Sequence, residues 1–255
     1  MRTLLKPLHL LYLLYAFALF FILMIPVFLW SLVATLFGKI RGGNLVFSAC
    51  MIWADVWFFL IFIRHKNIHL QEPAEHRSYI YVSNHISYLD SAILPKVFRH
   101  PIRPLGKVEM AAIPVFGTIY KNVVVTVDRS STTNRTRSVQ TLKAILRKEI
   151  SVLVFPEGTF NTTGKPLKEF YDGAFRIAIE TGTAIKPVIL LNTYDRMNTA
   201  SIFSLNPGKS RAIFLPEVPV GSLTLEDVPS LKATVYNRME AALIEHKASW
   251  IKKQF

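Results

Sequence analysis

"YIYVSNHISYLD", residues 79–90, combines a strand signal with a helix signal. Its first half is rich in Tyr, Ile and Val, which favour β-strands, and this run ends at Ser83. Ser87 and Asp90 then form a Ser-x-x-Asp pattern, a variant of the capping box that marks the first turn of a helix. Because α/β folds repeat this succession of strand, polar turn and helix, the stretch predicts that class of fold.

The chain continues this alternation of strands and helices beyond residue 90. Apolar and often β-branched runs predict strands at 79–83, 123–127, 151–155, 185–191 and 211–218. Apolar positions about 3.6 residues apart predict helices at 134–150, 173–181 and 230–250, and we expect Gly182 to end the second of these as a left-handed C-cap. We therefore expect an α/β domain with a mixed, largely parallel sheet flanked by helices. Functional sites in such folds lie in the loops that follow the strands.

The first 70 residues differ in composition from the remainder. They carry six basic residues and one acidic residue, whereas the remainder carries 24 and 16. Two apolar runs, 8–37 and 45–63, are separated by the Gly-rich segment "GKIRGGN". About 20 apolar residues suffice to cross a bilayer as a helix. We expect residues 1–66 to form a two-helix membrane hairpin and residues 67–255 to form the α/β domain on the cytoplasmic face of the membrane.

The composition leaves two features of this hairpin open. Cations lie at its tip and at both of its ends, so their distribution does not distinguish a double span from a hairpin that re-enters from one face. A buried hairpin in a soluble protein is a further alternative. Asp55 lies within the second apolar run, where it is either a polar contact inside the hairpin, which we favour, or a functional group.

Several kinds of site are not expected in this chain. Cys50 is its only cysteine, which excludes an intrachain disulfide and a cysteine-based metal site. We find no Gly-x-Ser-x-Gly elbow, no His-Glu-x-x-His pair and no P-loop, and the remaining histidines lack the spacing of metal ligands. The net charge of +13 is not concentrated in an element that could read nucleic acid, so we expect no nucleic-acid partner.

His85 and Asp90 stand directly after the first predicted strand of the α/β part. On a continuous helix, residues five apart point about 500° apart and cannot meet, but a turn between them removes this restriction. Asp90 could then accept a hydrogen bond from one imidazole nitrogen and leave the other free as a base. The spacing alone is equally compatible with a surface histidine beside an ordinary helix cap.

Four segments together resemble the glycerolipid acyltransferase family. "NHISYLD", residues 84–90, resembles its first block, Asn-His-x-Ser-x-x-Asp, and "FPEGT", residues 155–159, resembles its phosphate-binding block. Residues 106–129 are similar to a middle block that carries a Lys and ends in an Arg, and "IKPV", residues 185–188, resembles the final block. The resemblance covers about residues 75–195.

This resemblance implies an activity and a set of site residues. A fatty acyl group would pass from acyl-CoA or acyl carrier protein, the co-substrate, to the hydroxyl of a lyso-lipid in the bilayer, and we expect lysophosphatidic acid as the acceptor. His85 would be the general base and Asp90 would orient it, without an acyl-enzyme, a cofactor or a metal. The residues implied in binding the acceptor are Asn84, Ser87, Lys107, Arg129, Glu157, Gly158 and Thr159.

The sequence departs from the family pattern at Phe160, where the family often has an Arg after Glu-Gly-Thr. Because Arg suits bidentate phosphate binding, its absence leaves open another lyso-lipid acceptor, for example a lyso-aminolipid. Lys165 and Lys168 could compensate for the missing cation. A non-catalytic lipid-binding protein is a further alternative. Basic residues within 121–148 indicate either a solvated helix face or a contact with lipid heads or with the phosphates of the acyl donor.

Overall fold

The computed structural model describes residues 2–72, 77–127 and 132–252. The strands in these ranges are β1 (Ile63–His69), β2 (Ile80–Ser83), β3 (Arg103–Lys107), β4 (Val125–Val127), β5 (Val152–Val154), β6 (Ile185–Leu191) and β7 (Gly208–Phe214). The helices are α1 (Arg2–Ala34), α2 (Gly38–Leu60), α3 (Leu89–Val97), α4 (Phe116–Val123), α5 (Thr132–Leu146), α6 (Gly173–Thr181), α7 (Thr193–Arg196) and α8 (Val228–Glu245).

The strands form one sheet in the order β1-β7-β6-β2-β5-β3-β4. Neighbouring strands are parallel except β6 and β7, which are antiparallel. Because β2 to β6 run in one direction, their C-terminal ends lie along one side of the sheet, which we call the carboxyl edge. The predicted mixed, largely parallel sheet flanked by helices is confirmed.

Side chains of β2 alternate between two apolar clusters on opposite faces of the sheet. Tyr81 belongs to a cluster shared with α1 to α4, and we call this side the hairpin face. Ile80 and Val82 belong to a cluster shared with α5, α6 and α8 on the other side, which we call the distal face. The two faces meet at the carboxyl edge, where the loops leave the strands.

The N-terminal apolar runs form the predicted helical hairpin. The Trp57 indole N–H donates to the Ala16 carbonyl at 3.0 Å, and the Tyr12 hydroxyl donates to the Ile61 carbonyl at 2.8 Å. The segment Lys6–Leu60 is long and apolar enough to cross a membrane, with a mean hydropathy of 2.6 in its apolar window. Large apolar side chains on the outer side of α1 are exposed, among them Leu14, Phe21, Ile25 and Leu29. These features are consistent with membrane association.

Helix α2 packs directly on the hairpin face of the sheet. Trp57 and Phe58 are buried there in one cluster with Tyr81. The Asp55 carboxylate pairs with the Lys96 ammonium and with the Arg99 guanidinium, each at 2.8 Å. Asp55 therefore ties α2 to α3, and our expectation of a contact inside the hairpin is wrong, because the charged partners come from a helix of the α/β part.

The first turns of α2 are also attached to the sheet. Arg103, at the start of β3, is buried, and its guanidinium donates to the Ile40 carbonyl at 3.1 Å and to the Asn44 side chain at 2.8 Å. A Cβ on Gly43 would lie 2.5 Å from that guanidinium, so a glycine is needed for this close approach. Both ends of α2 are thus fixed to the α/β part by charged side chains.

The bounds of several elements match the prediction and others differ. Strand β6 and helix α6 have the predicted bounds, and α6 ends at Gly182, which adopts the expected left-handed conformation at φ 63°. Val123 closes α4, so the strand predicted at 123–127 begins only at Val125. Strand β1 starts at Ile63 and crosses residue 66, where we placed the domain boundary. The division into 1–66 and 67–255 stays a prediction.

Candidate active site

His85 and Asp90 meet at the carboxyl edge, just after β2. His85 Nδ1 lies 3.0 Å from Asp90 Oδ2, and the same oxygen accepts the amides of Ile86 at 2.7 Å and Ser87 at 2.8 Å. Asp90 is completely buried, so these donors fix its carboxylate. Because a carboxylate can only accept, Nδ1 carries the proton in the neutral ring and Nε2 holds the free lone pair.

Ser87 is a fully buried link within this turn. As the capping pattern predicts, the Asp90 carboxylate reaches back to the Ser87 amide, but α3 begins at Leu89 and the Ser87 hydroxyl accepts from the Leu89 amide at 2.9 Å. The hydroxyl also donates to main-chain carbonyls at Thr193 and Met197. Its polar atoms are thereby used within the protein, where they hold the turn against α7.

Asn84 lies between the ends of β2 and β6. Its side-chain amide donates to the Leu190 carbonyl at 3.1 Å, and its side-chain oxygen accepts from the Leu190 amide at 2.7 Å. The residue is 1% exposed. These two bonds resemble the main-chain pairing between neighbouring strands, and they fix the start of the His85 turn to β6.

Glu157 follows β5 and joins the two sequence blocks to each other. One carboxylate oxygen accepts from the His85 amide at 2.9 Å, and the other accepts from the Lys168 amide at 2.8 Å. The residue is 2% exposed, and this burial raises the pKa of Glu157 to about 7, while the two amide donors act in the opposite direction. The carboxylate is therefore directed into the protein and holds His85 by its main chain.

Two aromatic rings hold the imidazole of His85. The Phe155 ring stacks on it with centroids 4.2 Å apart and planes 16° apart, and the Phe160 ring lies at 4.2 Å with a tilt of 49°. Phe160 also contacts Tyr88 edge to face at 5.0 Å. The His85 side chain retains 16% exposure. The residue that departs from the family pattern thus packs on the candidate base.

The loop after Glu157 brings a cation to the same region. Gly158 has φ 73°, a left-handed conformation that favours glycine. The Lys168 ammonium donates to the Thr159 hydroxyl at 2.7 Å. Of the two lysines that could compensate for Phe160, Lys168 therefore lies beside the "FPEGT" block.

Lys107 lies at the C-terminal end of β3 and is exposed. Strand β5 separates β3 from β2, so Lys107 is on the same edge as His85 at a distance of about 10 Å, two strand spacings. Val127 pairs with Lys107, whereas Arg129 lies outside the described residues. The structure thus clusters Asn84, His85, Ser87, Asp90, Glu157, Gly158 and Thr159, with Lys107 further along the edge.

Sequence reasoning missed three contributors to this site. Phe155 and Tyr88 belong to the quoted motifs but gave no signal of their aromatic contacts. Asn161 begins "NTT", which matches only the pattern of a glycosylation acceptor, yet it is 3% exposed and its main-chain amide donates to the His85 carbonyl at 2.7 Å. Among the described residues, no group of three or more His, Cys, Asp or Glu side chains could hold a metal ion.

Comparison with known proteins shows that this chain is similar to acyltransferases. Residues 65–191 match the family model described as "Acyltransferase". The 1-acyl-sn-glycerol-3-phosphate acyltransferase of Salmonella typhimurium is 31% identical over 188 residues, which are 70% of this chain and 73% of that protein. The human 1-acyl-sn-glycerol-3-phosphate acyltransferase beta is 30% identical over 219 residues, which are 84% and 78% of the two chains.

A solved structure has a similar fold over nearly the whole chain. The crystal structure of the 1-acyl-sn-glycerophosphate acyltransferase PlsC from Thermotoga maritima superposes with a TM-score of 0.76 and covers 99% of this chain and 100% of its own. Its sequence is 24% identical. The similarity includes the N-terminal hairpin, which makes the packing of α1 and α2 on the sheet part of a shared fold.

Proposed function

The chain belongs to the acyltransferase family, and from this premise we propose that it transfers a fatty acyl group to the free hydroxyl of lysophosphatidic acid. The donor is a thioester of CoA or of acyl carrier protein, and the product is phosphatidic acid. The observation that carries the proposal is the 3.0 Å contact between His85 Nδ1 and the buried Asp90 carboxylate at the carboxyl edge.

In this proposal His85 Nε2 removes the proton of the acceptor hydroxyl as its oxygen attacks the thioester carbonyl. The Asp90 carboxylate stabilises the imidazolium that forms. When the tetrahedral intermediate collapses, the carbon–sulfur bond breaks and the departing thiolate takes the proton from Nε2. The products are the new ester and a free thiol. Since a thioester is already activated, the reaction needs no acyl-enzyme.

We assign different roles to the residues that the family resemblance implied in binding. Asn84, Ser87 and Glu157 are buried and bind main-chain groups, which supports a positioning role for them. Lys107 is exposed on the carboxyl edge, which supports a contact with the acceptor phosphate, and Arg129 is proposed to share it. Gly158 and Thr159 would lie beside the acceptor glycerol. No resident cofactor or metal takes part.

Phe160 supports a second candidate acceptor. Its ring contacts the imidazole at the position where many family members carry a cation, so the chain has one fewer group to bind a phosphate monoester. A lyso-lipid with another headgroup, such as a lyso-aminolipid, is therefore the alternative. A non-catalytic lipid-binding role is less favoured because the contact between His85 and Asp90 is intact.

The hairpin is proposed to enter the bilayer from one face, with the α/β domain on the cytoplasmic side. Helix α2 packs on the sheet, and Asp55 pairs with Lys96 of α3 and with Arg99 just after it, which supports a hairpin attached to the domain rather than two separate spans. The exposed apolar side of α1 would then face the lipid. This arrangement gives a lipid acceptor access to the carboxyl edge from the leaflet.

A screen of acceptors against donors tests the proposed function. Purified full-length protein is assayed for thiol release with acyl-CoA or acyl-carrier-protein thioester, each combined with lysophosphatidic acid, a lyso-aminolipid or no acceptor. We expect release that depends on lysophosphatidic acid. Release only with the lyso-aminolipid would establish the second candidate, and no release with any pair would contradict the enzyme proposal.

A further inference from the structure

A groove of about 590 Å³ lies on the distal face, between the segment 163–170 and helix α8. Its apolar lining includes Leu167 and Phe170, which belong to the distal cluster. Its polar lining includes Lys165, Lys168 and Lys232. The volume falls within the range of small-molecule sites, about 300–1,000 Å³. None of the residues assigned to the acceptor lines this groove.

One end of the groove reaches the candidate active site. The Lys168 amide donates to one oxygen of Glu157, and the other oxygen of Glu157 accepts from the His85 amide. The Lys168 ammonium meanwhile lies beside Thr159. A ligand that reaches the Lys168 ammonium would therefore lie beside Thr159, in the loop after β5.

The charge of the groove suits an anion. Three lysines, Lys165, Lys168 and Lys232, line it. The acidic side chains nearby are Glu169, which lines it, Asp172, which pairs with Lys232 at 2.7 Å, and Glu240, which lies close to the lining residue Tyr236. Lys165 and Lys168 form no ion pair within the described residues, so their charges are available to attract an anionic ligand.

The groove and the hairpin lie on opposite faces of the sheet, so the two substrates would approach the site from different sides. The hairpin and its exposed apolar surface lie on the hairpin face, where a lipid acceptor would arrive. The groove opens on the opposite face, away from that apolar surface. A water-soluble substrate can thus reach the carboxyl edge from one side while the lipid reaches it from the other.

We propose that this groove binds the phosphopantetheine arm of the acyl donor, with Lys165 and Lys168 on its phosphate and the thioester directed to His85. The inference rests on the proposed acyl transfer. Phosphopantetheine is common to CoA and to acyl carrier protein, so the same groove accepts either source. The apolar lining packs against the pantetheine chain, and the lysines bind the phosphate by charge-assisted hydrogen bonds.

Donor kinetics of the full-length protein test this inference. Lys165→Ala and Lys168→Ala are compared with Lys209→Ala, which removes an equal charge from an exposed position at the start of β7, outside the groove. With acyl-CoA or with acyl-carrier-protein thioester, we expect each groove variant to raise the donor KM about ten-fold, as loss of one charged hydrogen bond would. In Lys165→Ala the KM for lysophosphatidic acid should change less than about two-fold, since Lys168 and not Lys165 lies beside the residues assigned to the acceptor.

A truncated donor identifies the group that the lysines recognise. Acyl-pantetheine lacks the phosphate, so the groove variants should use it as well as the unaltered protein does. An effect with acyl-CoA alone or with the carrier thioester alone identifies the source of the arm. The inference is overturned if neither donor is affected, if Lys209→Ala has the same effect, or if the loss persists with acyl-pantetheine.

Calorimetric titration with free CoA and with holo-acyl carrier protein separates this inference from the proposed function, because it needs no acceptor. Binding that weakens about ten-fold in Lys168→Ala supports the groove even if lysophosphatidic acid proves inactive. Turnover of lysophosphatidic acid together with unchanged donor binding in both variants overturns the groove and leaves the proposed function standing.

Discussion

The main-chain amide of His85 donates to the Glu157 carboxylate at 2.9 Å, although 72 residues separate the two in the sequence. This bond joins the loop after β2 to the loop after β5. The second oxygen of Glu157 binds the Lys168 amide, so one buried side chain links three segments of the site. The placement of the base therefore depends on a residue whose carboxylate is directed away from the substrates.

Glu157→Gln should lower kcat and leave the acceptor KM nearly unchanged. A Gln side chain presents an N–H₂ group to one of the two amide donors, so one buried hydrogen bond is lost, at a cost of about 1–3 kcal/mol in unfolding free energy. Steady-state kinetics and thermal unfolding measure both effects. Glu226→Gln, at an exposed position outside the site and the groove, is the matched control. A variant with normal kcat and a raised acceptor KM would instead indicate that Glu157 contacts the acceptor.

The same carboxylate should make stability depend on pH. Burial raises the pKa of Glu157 from 4.5 to about 7, so the folded protein binds this proton more tightly than the unfolded chain does. The contribution of Glu157 is thus fully favourable below about pH 4.5 and decreases by up to about 1.4 kcal/mol per pH unit as pH rises toward 7. Thermal unfolding of the wild type and of Glu157→Gln across this range measures the difference. Parallel curves for the two proteins would refute the prediction.

Phe160 should control both the rate and the choice of acceptor. Phe160→Leu removes an aromatic contact with His85 and should lower kcat about 2- to 10-fold, as expected for an aromatic or cation–π contact. Phe160→Tyr keeps the ring and should retain the rate. Phe160→Arg should lower the KM for lysophosphatidic acid relative to that for a neutral lyso-lipid. If the Leu, Tyr and Arg variants have the same kcat and the same KM with both acceptors, the Phe160 ring has no specific role.

The outer side of α1 should be responsible for membrane retention. Ile25 and Leu29 are 53% and 55% exposed, so replacing both by Lys leaves the packed core intact while placing two charges in the lipid. We expect this double variant to move to the soluble fraction on centrifugation while it keeps a normal unfolding temperature. Replacement of Lys209 and Lys232 by Ala serves as a surface control with two changes. Complete retention of the double variant would assign anchoring to another surface.

The sequence predicted the parts of this molecule that depend on neighbouring residues. The strand and turn of residues 79–90, strand β6 and the left-handed Gly182 after α6 follow from local preferences, and all appear as expected. The proximity of His85 and Asp90 required only a turn between them. The family resemblance assigned "FPEGT" and Lys107 to one site, and both lie at the same edge of the sheet.

The features that the sequence did not predict are contacts between residues that lie far apart in the chain. Asp55 pairs with α3 because α2 packs on the sheet, which no periodicity indicates. The direction of the Glu157 carboxylate depends on amides that lie 72 residues before it and 11 residues after it. Phe160 was noticed as a missing cation, whereas its contact with the imidazole became visible only in the structure.

Turnover by His85→Ala tests the central claim most directly. The two rings that hold the imidazole should leave a slot in this variant that added imidazole can fill. The account predicts a protein with a normal unfolding temperature, a thiol-release rate lowered by about 10²–10⁴-fold, and partial recovery with imidazole. A folded His85→Ala variant that acylates lysophosphatidic acid at the wild-type rate would contradict it.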